Sequence, residues 1–106
     1  MDQSTSLAAS NLTSVMADKQ WIFLSNYGHV LVYLARHPEA RIRDIADAVG
    51  ITERSALGII GHLEQENYIS IEKLGRRNKY RVNRKLKFRH SMESHKSIDN
   101  LVKIFS

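Results

Sequence analysis

Two short apolar patterns at helical spacing, only three residues apart, constrain the fold of this chain more than any other feature of its sequence. The first pattern runs from Arg43 to Val49 and is followed by Gly50, which readily adopts the left-handed conformation found at helix ends. The second pattern follows Thr52, whose hydroxyl group can cap a helix, and continues to Asn67. The sequence therefore predicts two consecutive helices joined by a tight turn.

One further helix is expected before this pair and another at the end of the chain. The earlier helix begins at Ser25 or Asn26, and Pro38 closes it. The last helix is expected to begin near Ser91 or Ser94. Its apolar stripe, at spacing i, i+3, i+4 and i+7, consists of Ile98, Leu101, Val102 and Phe105. We find no obvious place for this stripe on the core of so small a domain.

A β-hairpin is expected after the helix pair. Residues 68–73 and 79–82 alternate apolar and polar on either side of a turn that contains Gly75, with Asn78 also expected at the turn. A two-stranded ribbon is stable only when one of its faces is packed. The residues expected to face the core are Ile69, Ile71, Tyr80 and Val82. The tip, residues 73–81, would then project with five Lys and Arg side chains.

Positive charge is concentrated in this part of the chain. The formal net charge is +5, yet residues 71–90 alone hold nine Lys and Arg residues against the single acid Glu72. The rest of the chain is slightly acidic, so the basic segment suggests a localised footprint for an anionic partner rather than a generally basic surface. The alternative is a solvated run of charges that keeps the protein soluble.

Length and composition exclude several classes of protein. A chain of 106 residues supports one domain. The absence of cysteine excludes a disulfide framework, a thiolate metal site and a cysteine nucleophile. Residues 1–18 are rich in Ser, Thr and Ala, and we expect a mobile arm there. The N-terminal sequence lacks a basic leader and a long apolar run, so a cytoplasmic location is expected.

The order of these elements resembles a winged helix-turn-helix. The stretch that carries the resemblance is "RIRDIADAVGITERSALGIIGHLEQENYISIEKLGRRNKYRVN", which is similar to transcriptional regulators of the MarR/ArsR type. The shared features are a short helix with Ile-Ala, the turn Val-Gly-Ile-Thr, a helix ending Leu-Glu, and an aromatic residue before the wing; the resemblance covers residues 38–83. It implies a mainly α fold with a small β-hairpin wing, in which residues 19–90 form the DNA-binding domain and residues 91–106 a C-terminal dimerisation helix.

The resemblance also implies a sequence-specific regulator of transcription that binds double-stranded DNA. Its recognition helix, residues 52–67, would lie in the major groove, and the basic wing, residues 73–81, on the backbone or in the minor groove. The residues expected to contact DNA are Arg43, Thr52, Glu53, Arg54, Ser55, Gly58, His62, Lys73, Arg76, Arg77, Asn78 and Lys79. Arg54 could bind guanine and Glu53 could accept from cytosine; the alternative is that the two residues form a solvated first turn.

Two departures from the family pattern concern the helices. Arg43 stands at the start of the second helix, where such families usually have Ser or Thr, although Asp44 still complements the positive helix end. Gly58 and Gly61 lie inside the recognition helix, where each costs about 1 kcal/mol relative to alanine. Because glycine offers no side chain, the centre of this helix has no side chain at these two positions to contact a base.

A homodimer is expected, because small regulators of this kind often dimerise through terminal helices. The residues expected at its interface are Trp21, Ile22, Leu24, Ile98, Leu101, Val102 and Phe105. A dimer would place two recognition helices one DNA turn apart on a pseudo-palindrome.

The alternatives depend on fewer residues. A winged helix can also serve as a protein–protein adaptor, and its cations would then bind an acidic partner. His90, Glu93 and His95 suggest a metal site, but one helix cannot present all three side chains together. Gly58-Ile-Ile-Gly61 matches an RNA-binding GXXG loop only weakly, because it lies inside a helix. We expect no cofactor, no metal and no catalytic residue, and the sequence identifies no small-molecule effector.

Overall fold

The structure, a computed structural model, describes residues 22–105. Its elements in chain order are α1 (Asn26–Arg36), α2 (Ile42–Val49), α3 (Glu53–Gln65), β1 (Ile69–Leu74), β2 (Arg77–Val82) and α4 (Ile98–Ile104). The predicted fold, mainly α with one β-hairpin and a helix at the C-terminal end, is confirmed. The expected mobile arm and Trp21 lie outside the described residues. None of the helices within the described range is both long and apolar enough to span a membrane.

Helix α1 begins where the sequence predicts. The Ser25 hydroxyl accepts a hydrogen bond from the Gly28 N–H at 3.4 Å, and the helix ends at Arg36, two residues before Pro38. Its buried side chains are Val30, Leu31 and Leu34. This stripe packs against both α2 and α3, so α1 is the central support of the helix pair.

The tight turn between α2 and α3 is built as expected. Gly50 has a φ of +83°, and the N–H groups of Gly50 and Ile51 both donate to the carbonyl oxygen of Ala46, at 2.8 and 3.0 Å. The Asp44 carboxylate accepts from the N–H of Arg41 at 3.3 Å and so completes the start of α2. Helix α2 therefore begins one residue earlier than the sequence suggests.

The hairpin has the predicted apolar face and a shorter turn than expected. Ile69 pairs with Val82 and Ile71 with Tyr80, so the apolar side chains share one face. Only two residues connect the strands, and Gly75 supplies the positive φ of +65° that such a turn requires. The expectation that Asn78 lies at the turn is wrong, because it sits inside β2 opposite Lys73.

The last helix differs most from its prediction. It begins at Ile98, because the polar stretch 91–97 contains Met92 as its single apolar residue and could not form an apolar helix face. Ile98 and Val102 are each 2% exposed and belong to the core. The expectation that the stripe has no place on this core is therefore wrong for these two residues.

The segment between the hairpin and α4 explains how Ile98 and Val102 reach the core. Leu86 and Phe88 are half-buried against the core, and the N–H of Ile98 donates to the carbonyl oxygen of Leu86 at 2.8 Å. Lys87 also forms a single antiparallel bridge with Ser97. The chain thus folds back after the hairpin and lays α4 against α1.

Candidate nucleic-acid interface

Helix α3 has one face in the core and the opposite face in solvent. Its buried residues are Ala56, Ile59, Ile60 and Leu63. The outward line, at spacing i, i+4, i+7 and i+11, consists of Arg54, Gly58, Gly61 and Gln65, all of them exposed. Within the described residues, no other part of the chain covers this line. The predicted recognition helix is therefore free to enter a groove.

The hydroxyl groups at the start of α3 contact each other. Thr52 Oγ1 accepts from the N–H of Ser55 at 3.0 Å and lies 3.0 Å from Ser55 Oγ, to which it donates. The proton of the Ser55 hydroxyl remains available to an outside acceptor. Glu53 and Arg54 are exposed in the same turn, and no ion pair in the described residues involves either of them.

No other described residue packs against the glycines of the outward line. A Cβ atom placed on Gly58 or Gly61 meets no other atom within 4 Å. Neither glycine has a positive φ, so neither is needed for the backbone conformation. Nothing in the described part of this chain therefore requires glycine at these positions.

His62 lies on the side of α3 that faces α1. Its Nδ1 atom is 2.9 Å from the hydroxyl oxygen of Tyr27, and the two rings meet edge to face. This places His62 in a contact between helices, beside rather than on the outward line. Arg43, the predicted contact from α2, is exposed in the first turn of that helix.

A cleft separates the hairpin from the starts of α2 and α3. It has a volume of about 380 Å³, and we call it the wing cleft. Its lining residues are Ala40, Arg41, Ile42, Leu57, Lys73, Arg76, Arg77, Asn78 and Tyr80. Four of these are cations and none is acidic, so the lining residues have a formal charge of +4, which favours an anionic partner.

Arg41 and Leu57 belong to the wing cleft but are not among the residues predicted from the sequence. The sequence places Arg41 in the step before α2, and a basic residue beside a helix start is a signal for anion binding. Leu57 immediately follows the buried Ala56 and lies outside the core-facing stripe. An apolar residue out of phase with the core is the signal by which the sequence could have revealed it.

The predicted wing cations do not share one surface. Lys73 and Asn78 are opposite each other on the hairpin face that also carries Tyr80 and the core contacts. Lys79 pairs with Glu72 on the other face, so a positive and a negative side chain lie next to each other across the two strands. Arg76 lies in the exposed turn at the tip. The cleft therefore collects part of the wing charge, and Lys79 is directed away from it.

Two wing residues make contacts inside the chain. The guanidinium of Arg77 donates to the carbonyl oxygen of Glu39 at 2.7 Å. The side-chain Nδ2 of Asn78 donates to the Tyr80 hydroxyl at 3.4 Å, while its Oδ1 is buried without a hydrogen-bond partner among residues 22–105. Arg77 therefore helps to hold the hairpin against the rest of the domain, in addition to lining the cleft.

The second half of the basic segment serves a different purpose. Arg84 bonds to the Asp99 carboxylate at 3.0 Å, and this guanidinium, followed by Lys103, lowers the pKa of Asp99. Arg89 pairs with Glu66 and lies over the ring of Tyr68, and its pKa is raised by Tyr68 and then by Glu66. None of these residues lines the wing cleft. Arg84 and Arg89 are thus engaged in ion pairs outside the wing cleft.

The predicted dimer residues divide between core and surface. Leu24 and Leu101 are half-buried, whereas Ile22 and Phe105 are exposed and line a groove of about 430 Å³ with residues of α1 and α2. His90, Glu93 and His95 lie in irregular structure rather than on one helix. Among the described residues, no three potential metal ligands come together.

Comparisons with known proteins support the fold. No protein-family model matches the chain, and no curated protein matches it. Among similar solved structures is MepR, a transcription regulator of the Staphylococcus aureus multidrug efflux pump MepA, with 22% sequence identity and a TM-score of 0.51. The match covers 76% of this chain and 53% of MepR, so this chain spans about half the length of that protein. At this identity the likeness concerns the fold, and the chain has a winged-helix fold.

Proposed function

We propose that this chain is a sequence-specific transcription regulator of the MarR/ArsR type that binds double-stranded DNA as a homodimer. In this proposal α3 lies in the major groove, and residues 73–81 contact the DNA backbone or the minor groove. The observation that carries the proposal is the uncovered outward line of α3 beside a cleft with four cations and no acid. A similar structure, MepR, is itself a transcription regulator.

The dimensions and charges of this surface fit duplex DNA. The major groove is about 12 Å wide, close to the diameter of an α-helix with its side chains. Arg41, Lys73 and Arg76 flank the helix on the wing side, where phosphates of the groove edge would pass. Arg54 is exposed at the N-terminal end of α3, where side chains of recognition helices meet base edges.

The homodimer is supported by apolar surface that this chain leaves exposed. Ile22, Ile104 and Phe105 are exposed, and two of them line the groove beside α1. Association of two copies across such a surface would bury it and repeat α3 by twofold symmetry. An isologous dimer would read a pseudo-palindromic site.

The test is fluorescence anisotropy with a random-sequence duplex at low and at moderate salt. Double substitution Arg76→Ala/Arg77→Ala should weaken binding and reduce the log–log salt slope by about 0.9 for each phosphate that is no longer neutralised. The matched control is Lys85→Ala/Lys87→Ala, which removes the same charge from residues outside the wing cleft.

The control double variant should retain most of the affinity of the wild-type protein. Absence of duplex binding at low salt would refute the DNA proposal and favour an adaptor with an acidic protein partner. Equal losses of affinity in the two double variants would show that charge alone, rather than the wing cleft, determines binding.

A further inference from the structure

Leu57 is a large apolar side chain among the lining residues of the wing cleft. It is 57% exposed on α3, and it lines the cleft together with Arg41, Arg76 and Arg77. It does not belong to the core, to which α3 contributes four other side chains. An exposed leucine does nothing to attract an anion, but its place among cations suits a partner that is both anionic and locally apolar.

Duplex DNA has this combination of properties. Its phosphates match the four cations of the cleft, and the major groove presents one apolar group, the C5-methyl of thymine. Leu57 and Arg54 are three residues apart on α3, so both side chains reach the same groove when the helix enters it. Leu57 is the one of the two that lines the wing cleft.

The bare outward line of α3 supports the same contact. A helix without side chains at Gly58 and Gly61 can approach the bases more closely than one with longer residues at those positions. Leu57 lies beside Gly58 and Gly61, on the side of the wing cleft, and extends beyond the helix backbone. Close approach of the helix therefore brings this side chain against the groove.

We propose that Leu57 is a specificity-determining residue that recognises thymine through its C5-methyl group in the major groove. The proposal rests on the proposed function, because it needs DNA bound along α3 and the wing cleft. Arg54 would remain the candidate for hydrogen-bonded recognition of guanine, so the two residues would divide polar and apolar recognition between them.

The experiment begins with selection of a bound duplex from a random-sequence library by the full chain. Each thymine of the selected duplex is then replaced singly by uracil, which removes only the C5-methyl group. Burial of one such carbon contributes about 0.8 kcal/mol, so the wild-type protein should bind about fourfold more weakly when a contacted thymine is replaced.

The variant Leu57→Ala should bind the thymine and uracil duplexes equally well. Leu57→Met, which keeps an apolar side chain, should retain the discrimination. Met92→Ala, which shortens another exposed apolar side chain outside the wing cleft, is the matched control that should behave like wild type. Thermal unfolding of each variant checks that it is folded, as expected for exposed positions.

Three results would overturn the proposal. Tight binding of a selected duplex with no sensitivity to any uracil replacement would refute Leu57 recognition and leave the DNA-binding function standing. Retained discrimination by Leu57→Ala would assign the thymine contact to another residue. Failure of the library to yield any bound duplex would refute the proposed function, and the thymine contact with it.

Discussion

The guanidinium of Arg77 donates a hydrogen bond to the carbonyl oxygen of Glu39 at 2.7 Å. Three residues along β2, the N–H of Tyr80 donates to the carbonyl oxygen of Pro38, also at 2.7 Å. These two bonds attach the hairpin to the connection between α1 and α2. The wing is therefore held in a fixed position relative to α3, and its cations are positioned before any partner binds.

Arg76 and Arg77 should consequently behave differently when each is replaced singly. Arg76→Ala should weaken duplex binding and lower the salt slope by about 0.9 without changing stability, because Arg76 lies in the exposed turn. Arg77→Ala should also reduce the free energy of unfolding by about 1 kcal/mol, since it loses the bond to Glu39. Anisotropy titrations and urea denaturation measure the two effects. Equal stability of the two variants would contradict the role of Arg77 in holding the wing.

Alanine substitution of the two α3 glycines should stabilise the protein, and the same substitution at Gly50 should destabilise it. Gly58→Ala and Gly61→Ala should each stabilise the protein by up to about 1 kcal/mol, because the new methyl group meets nothing within 4 Å and alanine favours helix. Gly50→Ala should destabilise it by about 1 kcal/mol or more, since its φ of +83° disfavours any residue with a Cβ. Urea denaturation compares the three variants. Destabilisation by Gly58→Ala would indicate a contact within the protein at that position.

The same substitutions should weaken duplex binding if α3 approaches DNA closely. A stabilised Gly58→Ala or Gly61→Ala variant with reduced affinity would separate stability from function, because a loss of folding could not explain the weaker binding. Unchanged affinity in both variants would mean that the outward line of α3 does not approach the groove floor.

Local chemistry makes most of the fold predictable from the sequence. The cap at Ser25, the left-handed Gly50, the cap at Thr52 and the alternation in the hairpin each act within a few residues, and all are present as expected. Asn67, where the second helical pattern of the sequence ends, has a left-handed conformation with a φ of +68°. Short-range rules are sufficient for these elements.

Features that depend on distant parts of the chain are not predictable in the same way. The burial of Ile98 and Val102 depends on Leu86 and Phe88, which bring α4 back to the core. In the sequence the basic segment looks like one footprint, because nothing there reveals that Arg84 and Arg89 pair with Asp99 and Glu66. Such long-range pairs follow from the path of the chain.

Thr52 should contribute to stability mainly by capping the start of α3. Thr52→Ala removes the acceptor of the Ser55 N–H bond and should cost about 1 kcal/mol of stability. Thr52→Ser keeps that acceptor and should be close to wild type in thermal unfolding. If Thr52→Ser also binds duplex DNA normally, the threonine methyl group has no part in binding. A Thr52→Ala variant as stable as wild type would show that the cap contributes little.

Substitutions at the two ends of α4 should affect different properties: one end contributes to folding and the other to self-association. Ile98→Ala should reduce the free energy of unfolding by about 2–4 kcal/mol, because its side chain is 2% exposed in the core. Ile104 is 72% exposed, so Ile104→Ser should leave folding intact and weaken the proposed dimer. Urea denaturation tests the first substitution and light scattering the second. A monomeric wild-type protein at micromolar concentration would refute the homodimer.

Asp99 should make the protein less stable as the pH falls into the acidic range. Arg84, followed by Lys103, lowers its pKa in the folded state, so the unfolded chain binds the proton more readily. The stabilisation is complete above the ordinary aspartate pKa of about 3.9 and is lost as the pH falls through the lower folded-state pKa. Asp99→Asn should therefore be less stable than wild type at neutral pH, and the difference should shrink below about pH 4.

The control for this pH effect is Asp47→Asn, since Asp47 is exposed on α2 and makes no ion pair among the described residues. Urea denaturation of wild type and both variants across a pH series measures the differences in stability. The Asp47→Asn variant should follow wild type closely, because no specific partner is removed. A gap between wild type and Asp99→Asn that stays constant down to strong acid would mean that the ion pairs of Arg84 and Lys103 with Asp99 do not contribute to stability through its charge.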